Sequence, residues 1–240
     1  MDQEQSRFFE LADDISKSGR WTIINDKIQR LTANPMPGNE WWVELFGKLC
    51  FRLFKEYLLL KRDYEAKHKE TALLAWRSRN ILELSIWCLY CSKSRENARR
   101  FFEDAGRDVL GVFDAFIKWG NAMYLDQAWL DHVTTGKKEI HRQASTEGIA
   151  SLDGPYKKVG DAADEIGFGD HFRVGCRMLS KLAHPTAMEI VADINHARMN
   201  DVIFSHGCLC FMGAFNALEE QVLLASQEEG STWSAGSGNS

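Results

Sequence analysis

Four polar side chains within one apolar stretch, Phe172–Thr186, are the residues best suited to chemistry. Arg173, Arg177, Ser180 and His184 follow one another at spacings of four, three and four residues. At about 100° per residue, they fall within about 60° of one face of a helix. We call this set the Arg–His face. Because the rest of the stretch is mostly apolar, the helix is predicted to pack inside the protein, with this face open to a cleft or a partner.

The Arg–His face has the residue types that metal-free RNA cleavage requires. An arginine fork binds phosphate through paired, charge-assisted hydrogen bonds. An imidazole titrates near neutrality, so it can take a proton from a ribose 2′-hydroxyl and return one to a leaving group. Cations stabilise the charge that builds on the phosphate. Ser180, one turn before His184, is placed to orient the ring or to contact the phosphate.

Two other interpretations of the Arg–His face remain open at this point. In the first, His184 caps the C-terminus of its own helix, where a cation is favoured, and the arginines pair with buried carboxylates. The chain is then a non-enzymatic assembly or binding module, with a polar network that holds helices or subunits in register. In the second, the helical bundle binds a small anion between Arg173 and Arg177.

A second polar pair lies in an earlier apolar helix. Arg79 and Glu83 are spaced i, i+4, which places them side by side on a helix surface. A half-buried carboxylate needs a partner, and Glu83 would find it in Arg79 or, across the bundle, in Arg173 or Arg177. The pair is therefore predicted either to fix helix register or to aim an arginine of the Arg–His face.

The cysteine and histidine spacings predict no metal site and no cofactor. Cys88 and Cys91 form a CxxC pair, but a structural zinc site needs two further ligands, and Cys208 and Cys210 do not form a second such pair. The remaining histidines show no metal-binding spacing, and we interpret them as incidental: His68, His132, His141, His171, His196 and His206. Phosphate-binding loops and nucleophile-elbow motifs are also absent from the sequence.

The elements that must position these residues are predicted to be helices throughout. Apolar residues recur with the 3.6-residue period, and no strand-like alternation occurs, so we predict an all-α multi-helix bundle of long antiparallel helices. The predicted helices cover residues 3–17, 20–32, 39–64, 69–91, 95–119, 124–147, 157–165, 170–184, 187–197 and 201–226. We predict a helical hairpin over 1–38, a main bundle over 39–226 and a disordered tail over 227–240.

Composition restricts the setting in which this chain works. The 240 residues have a net charge of −5, which argues against a broad nucleic-acid-coating surface but allows a small basic site. The acidic N-terminal segment is unlike a signal peptide, and no run of about 18 apolar residues predicts a membrane span. We therefore expect a cytoplasmic protein with reduced cysteines and no membrane contact.

Two motifs, in this order, resemble the HEPN superfamily. Arg177 and His184, separated by MLSKLA, fit its Arg–x(4–6)–His signature, and RNILE at Arg79–Glu83 resembles the Arg-x-x-x-Glu helix of a related bacterial group. The resemblance covers about Leu73–Thr186. It implies a dimeric helical bundle whose paired subunits form one metal-independent RNase cleft. On that pattern Arg177 would bind the scissile phosphate and His184 would be the acid–base.

The resemblance also implies a biological class. It places the chain among RNA-cleaving or RNA-associated proteins of stress response and phage defence, with RNA and a second copy of the chain as partners. Other members of the superfamily are inactive binding or assembly domains, which is the alternative that the sequence leaves open.

Overall fold

The protein is built from α-helices, which confirms the predicted all-α class. In the computed structural model, residues 3–34, 40–149, 151–184 and 196–236 are described, and within them there are nine helices and no strand. Their bounds are α1 Gln3–Lys17, α2 Arg20–Ala33, α3 Glu40–Glu65, α4 Thr71–Lys93, α5 Arg95–Ala122, α6 Gln127–Thr146, α7 Val159–Glu165, α8 Gly169–Ala183 and α9 His196–Gly236. The predicted helix over 187–197 falls almost entirely outside the described residues.

The helices divide into two compact units. Residues 1–94 and 159–240 form the first, which we call the bundle unit, and residues 95–158 form the second, the insert unit. The hairpin expected over 1–38 corresponds to α1 and α2, which pack on α9 within the bundle unit. The last helix was predicted to end near Ser226, but α9 continues to Gly236.

The core of the bundle unit surrounds α9, which packs against α4, α3, α1 and α2. Its buried side chains include Phe204 and Phe211, and each stacks on a tyrosine of α3. The ring of Tyr64 lies 3.9 Å from that of Phe204, and the ring of Tyr57 lies 4.1 Å from that of Phe211. These stacked aromatic pairs help to hold α9 against α3.

A glycine allows α9 to approach its neighbours closely. Gly207 is buried, and a Cβ added to it would overlap Cδ2 of Leu60 in α3 and lie 3.3 Å from Oγ of Ser78 in α4. Leu60 and Ser78 are themselves fully buried, so neither can move into solvent. The contact of α9 with α3 and α4 therefore depends on the missing side chain at this position.

Part of α9 is long and apolar enough to cross a membrane. The segment His196–Ser226 has a mean hydropathy of 1.3 in its most apolar window, and 56% of that window is buried within the protein. Core helices of soluble proteins also reach these values. The absence of a membrane span remains a prediction from the sequence.

Buried charges between α3 and α4 were not predicted. The Arg77 guanidinium is mostly buried and lies 3.4 Å from Oε2 of Glu56 and 3.3 Å from Oδ2 of Asp63. Glu56 is only 2% exposed and also pairs with Arg52 at 2.9 Å. Because a buried carboxylate must be neutralised, Arg77 points inward rather than to water.

The insert unit is an α5–α6 pair with a small core of its own. Leu110 of α5, Ala144 of α6 and Leu152 form this core. With so few neighbours, α5 leaves much of its apolar stripe uncovered: Val109, Val112 and Phe116 are all at least 40% exposed. The apolar period of α5 therefore predicted the helix correctly but overstated its burial.

The stability of the bundle unit is expected to depend on the charge of Asp13. Burial raises the pKa of this carboxyl, but hydrogen bonds from Lys17 and Lys61 outweigh it, so the pKa falls below its usual value of 3.8. A group with a lowered folded-state pKa stabilises the fold above its unfolded pKa, and this contribution disappears as the pH falls through the folded value.

We therefore expect the melting temperature of the wild type to fall more steeply than that of Asp13→Asn below about pH 4. Thermal melts followed by circular dichroism at several pH values would measure this. The matched control is Asp14→Asn, at an exposed neighbour, which should keep the steep wild-type fall. Parallel curves for wild type and Asp13→Asn would contradict the prediction.

Candidate functional site

The Arg–His face lies on α8, which a tight turn positions. Gly167 adopts a left-handed φ of 80°, which glycine accepts without strain, and α8 begins two residues later. The N-cap residue is Phe168 and not Asp170, and it provides no side-chain cap. Asp170 lies in the first turn instead, where a carboxylate is favourable for the helix dipole and accepts a hydrogen bond from Arg173.

Burial divides α8 into a core face and an exposed face. Phe172, Leu179 and Leu182 are buried against the bundle, while Arg177 and His184 are exposed. The Arg–His face therefore lies on the exposed side of α8. The face is not sealed inside the protein, so solutes can reach it.

Arg173 is held by two carboxylates. Its guanidinium donates to Oδ1 of Asp164 at 2.7 Å and to Oδ1 of Asp170 at 2.9 Å. Both hydrogen bonds raise the pKa of Arg173, and the bond to Asp170 has the larger effect. Both carboxylates are exposed, so the expectation of buried carboxylate partners is wrong for Arg173. Glu83 is not its partner either.

Arg177 and Ser180 differ in how much of their bonding capacity the protein uses. Within the described residues, no carboxylate pairs with Arg177, so its guanidinium is available to an anion. The Ser180 hydroxyl donates to the backbone oxygen of Cys176 at 2.6 Å, one turn earlier in α8. Its proton is therefore already committed, and only its oxygen lone pairs remain for a ligand.

His184 ends α8 beside an aromatic side chain of α4. It is the C-cap residue, in extended conformation, and its exposed ring meets Trp76 edge-on with 6.3 Å between ring centroids. The Trp76 side chain is itself 44% exposed. An imidazole and an indole thus form an exposed aromatic corner at the end of the Arg–His face.

The predicted pair in α4 forms within its own helix. Nε of Arg79 donates to Oε1 of Glu83 at 2.9 Å, and the two side chains are 28% and 34% exposed. Glu83 does not reach Arg173 or Arg177 through any hydrogen bond or ion pair in the described part of the chain. The pair therefore shares the Trp76 side of α4 without aiming an arginine of α8.

A second cluster, which the sequence interpretation missed, lies on a different side of α8. The donor atoms of His171, His206 and Cys210 all lie within 4.8 Å of one another. His171 is in α8, whereas His206 and Cys210 are one turn apart in α9. The i, i+4 spacing of His206 and Cys210 was the available signal. The approach of His171 was not predicted because the packing of α8 and α9 on α4 could not be read from the sequence.

The electrostatics of this cluster follow from its burial. Burial and the neighbouring His171 lower the pKa of His206 to about 4, so its imidazole is neutral at pH 7. Burial raises the pKa of the Cys210 thiol to about 12. Both residues therefore sit uncharged at the contact of the two helices.

Comparisons of this chain with protein-family models, curated proteins and solved structures found no match. The HEPN resemblance stays a prediction from the two motifs.

Proposed function

We propose that this protein binds RNA on the Arg–His face and cleaves it without a metal ion, as an RNA-associated protein of the HEPN type. The observation that supports this proposal is the joint exposure of Arg177 and His184 on one side of α8. Arg177 has no carboxylate partner within the described residues, so a phosphate can take that place. The net negative charge of the chain restricts binding to this local site.

In the proposed reaction His184 removes the proton from a ribose 2′-hydroxyl. The resulting oxygen attacks the adjacent phosphorus and displaces the 5′-oxygen, which takes a proton from the imidazolium of His184, so the neutral imidazole is restored. The products are a 2′,3′-cyclic phosphate and a 5′-hydroxyl. Arg177 stabilises the charge that builds on the phosphate oxygens, and Trp76 offers a nucleobase a stacking surface beside the imidazole.

The spacing of Arg177 and His184 favours a site shared by two copies of the chain. Seven residues of helix separate their Cα atoms by about 10 Å along the axis. Helical side chains tilt toward the N-terminus, so the Arg177 guanidinium extends away from His184. If a second copy places its own Arg177 beside this His184, a guanidinium and an imidazole from different copies come closer than the pair within one chain. This is the arrangement that the family resemblance implies.

A non-enzymatic assembly module is the second candidate function. The observation that favours it is the occupation of half of the Arg–His face by the protein itself. Arg173 is bound by Asp164 and Asp170, and the Ser180 proton is bound within α8. In that case the face would dock another helix or subunit, and no RNA would be consumed.

Incubation with single-stranded RNA in the presence of EDTA tests the main proposal. We expect fragments that end in 2′,3′-cyclic phosphate and 5′-hydroxyl groups, and a specific rate that rises with protein concentration in the range where sedimentation detects dimers. The same oligonucleotide with 2′-O-methyl groups is the control and should remain intact. A folded dimer that neither cleaves nor binds unmodified RNA would contradict the proposal and favour the assembly module.

A further inference from the structure

We propose that His171, His206 and Cys210 bind a zinc-class divalent transition-metal ion between α8 and α9. Two imidazoles and one thiol converge at this point from α8 and α9, two helices that both pack against α4. Sγ of Cys210 lies 3.9 Å from Nε2 of His171, and 3.9 Å and 4.0 Å from Nδ1 and Nε2 of His206. The two imidazole rings lie nearly parallel, with their centroids 5.3 Å apart.

These separations are close to those of a metal site. With Zn–N of about 2.05 Å and Zn–S of about 2.3 Å, tetrahedral ligands stand about 3.3–3.6 Å apart. The sulfur–nitrogen distances in this cluster exceed that range by only a few tenths of an ångström. All donor atoms of the cluster lie within 4.8 Å of one another, and His171 is exposed, so its side chain has room to adjust around an ion.

Neighbouring residues already orient the most buried imidazole. Oγ of Ser78, which is fully buried in α4, lies 3.4 Å from Nδ1 of His206. A hydrogen bond from Nδ1 to this hydroxyl leaves Nε2 as the lone-pair donor, which is how outer-shell groups fix the tautomer of metal-binding histidines. Gly175 leaves room on the other side, because a Cβ there would lie 3.0 Å from Nε2.

The site is open on one side. A cavity of about 480 Å³ adjoins the cluster and is lined by His171, Val174, Met178 and His206. Three protein ligands beside an open cavity leave a fourth coordination position for water or an anion, which is the arrangement of reactive rather than purely structural zinc sites.

The ligand types select the class of metal. Imidazole and thiolate favour zinc and similar transition ions, whereas magnesium and calcium prefer oxygen ligands. Imidazole binds a metal ion in its neutral form. Cys210 must lose its proton to the solvent as the metal–sulfur bond forms, and a coordinated thiol is deprotonated outright.

This site is independent of the proposed RNA cleavage. His171 and Met178 lie about 150° and 130° around α8 from the centre of the Arg–His face, given 100° per residue. The metal therefore takes no part in the reaction proposed for His184. Removal of the metal by a chelator should leave that reaction unchanged.

Titration of the full-length, reduced protein with Co²⁺ tests this site. We expect saturation at one ion per chain, with a near-ultraviolet thiolate-to-cobalt charge-transfer band and the intense visible bands of tetrahedral cobalt. Zn²⁺ should displace the cobalt and abolish both signals. Zn²⁺ should also raise the melting temperature, because an ion that binds only the folded state stabilises it.

Variants distinguish this site from adventitious binding. Cys210→Ala should remove the charge-transfer band, and His171→Ala, at an exposed position that does not threaten folding, should weaken Co²⁺ binding about tenfold or more. Cys208→Ala, at a buried thiol two residues away, is the matched control and should keep the wild-type spectrum. An unchanged affinity and spectrum in folded His171→Ala, or no cobalt binding by the wild type, would overturn the proposal.

Discussion

Replacement of His184 by alanine is expected to slow RNA cleavage by about 10²–10⁴-fold, the usual contribution of a positioned acid–base. The loss should appear in the rate at saturating RNA, because Arg177 and Trp76 would still bind the substrate. Because the imidazole is exposed at the end of α8, its removal should change the melting temperature little. Cleavage rate and RNA affinity, measured on the same preparation, would separate these effects.

The matched control for that variant is His141→Ala, at an exposed position of α6 in the insert unit, which should cleave RNA at the wild-type rate. Arg177→Lys provides a second comparison, since it keeps the charge but loses the two-pronged hydrogen bonding of a guanidinium. Equal cleavage rates for wild type and His184→Ala would contradict the catalytic role assigned to His184. A fall in melting temperature of several degrees in His184→Ala, with no cleavage by the wild type, would favour the assembly module.

Substitution of Gly207 by valine is expected to destabilise the bundle unit by about 2–3 kcal/mol. The new side chain would overlap Leu60 and crowd Ser78, and overpacking of a dense core costs about 1–3 kcal/mol or more. The better helix propensity of valine offsets only about 0.4 kcal/mol. For a chain of this size the melting temperature should fall by about 4–12 °C, as measured by calorimetry.

Gly213→Val is the control for this effect, because Gly213 lies in the same helix and no atom lies within 4 Å of a Cβ placed there. That substitution should leave the melting temperature unchanged or raise it slightly. The double variant Gly207→Val with Leu60→Ala should recover part of the lost stability relative to the sum of its single variants. Additive losses would show that the predicted overlap is not the cause.

The fold was predictable because its signal is local. The apolar period of α3 places Phe46, Leu49, Leu53 and Leu60 on one side, and all four are buried. The extent of burial was less predictable, since it depends on which helices meet. Leu73 and Trp76 follow the same period in α4 yet are 38% and 44% exposed. The period identifies the apolar side of a helix but does not show how much of that side the neighbouring helices cover.

The difference between signals within one helix and contacts between helices also explains which candidate sites were predicted. The Arg–His face lies on one helix, so residue spacing alone predicted its shared side. His171 and Cys210 are separated by 39 residues, and their proximity depends on the packing of both α8 and α9 against α4. The pairing of Arg77 with Glu56 and Asp63 was not predicted because these two carboxylates lie in another helix. Long-range pairing of charges and ligands leaves no periodic trace in one sequence.

The discontinuity of the bundle unit has a consequence for how such chains diverge. The chain leaves that unit at the end of α4 and re-enters it at α7, and Nζ of Lys93 donates to the backbone oxygen of Glu165 at 2.7 Å, so exit and return are adjacent. A segment whose two ends are adjacent in this way can be gained, shortened or exchanged without a change in the order or packing of the remaining helices. Distant homologues should therefore conserve 1–94 and 159–236 as one interrupted pattern, with the greatest variation in length between them.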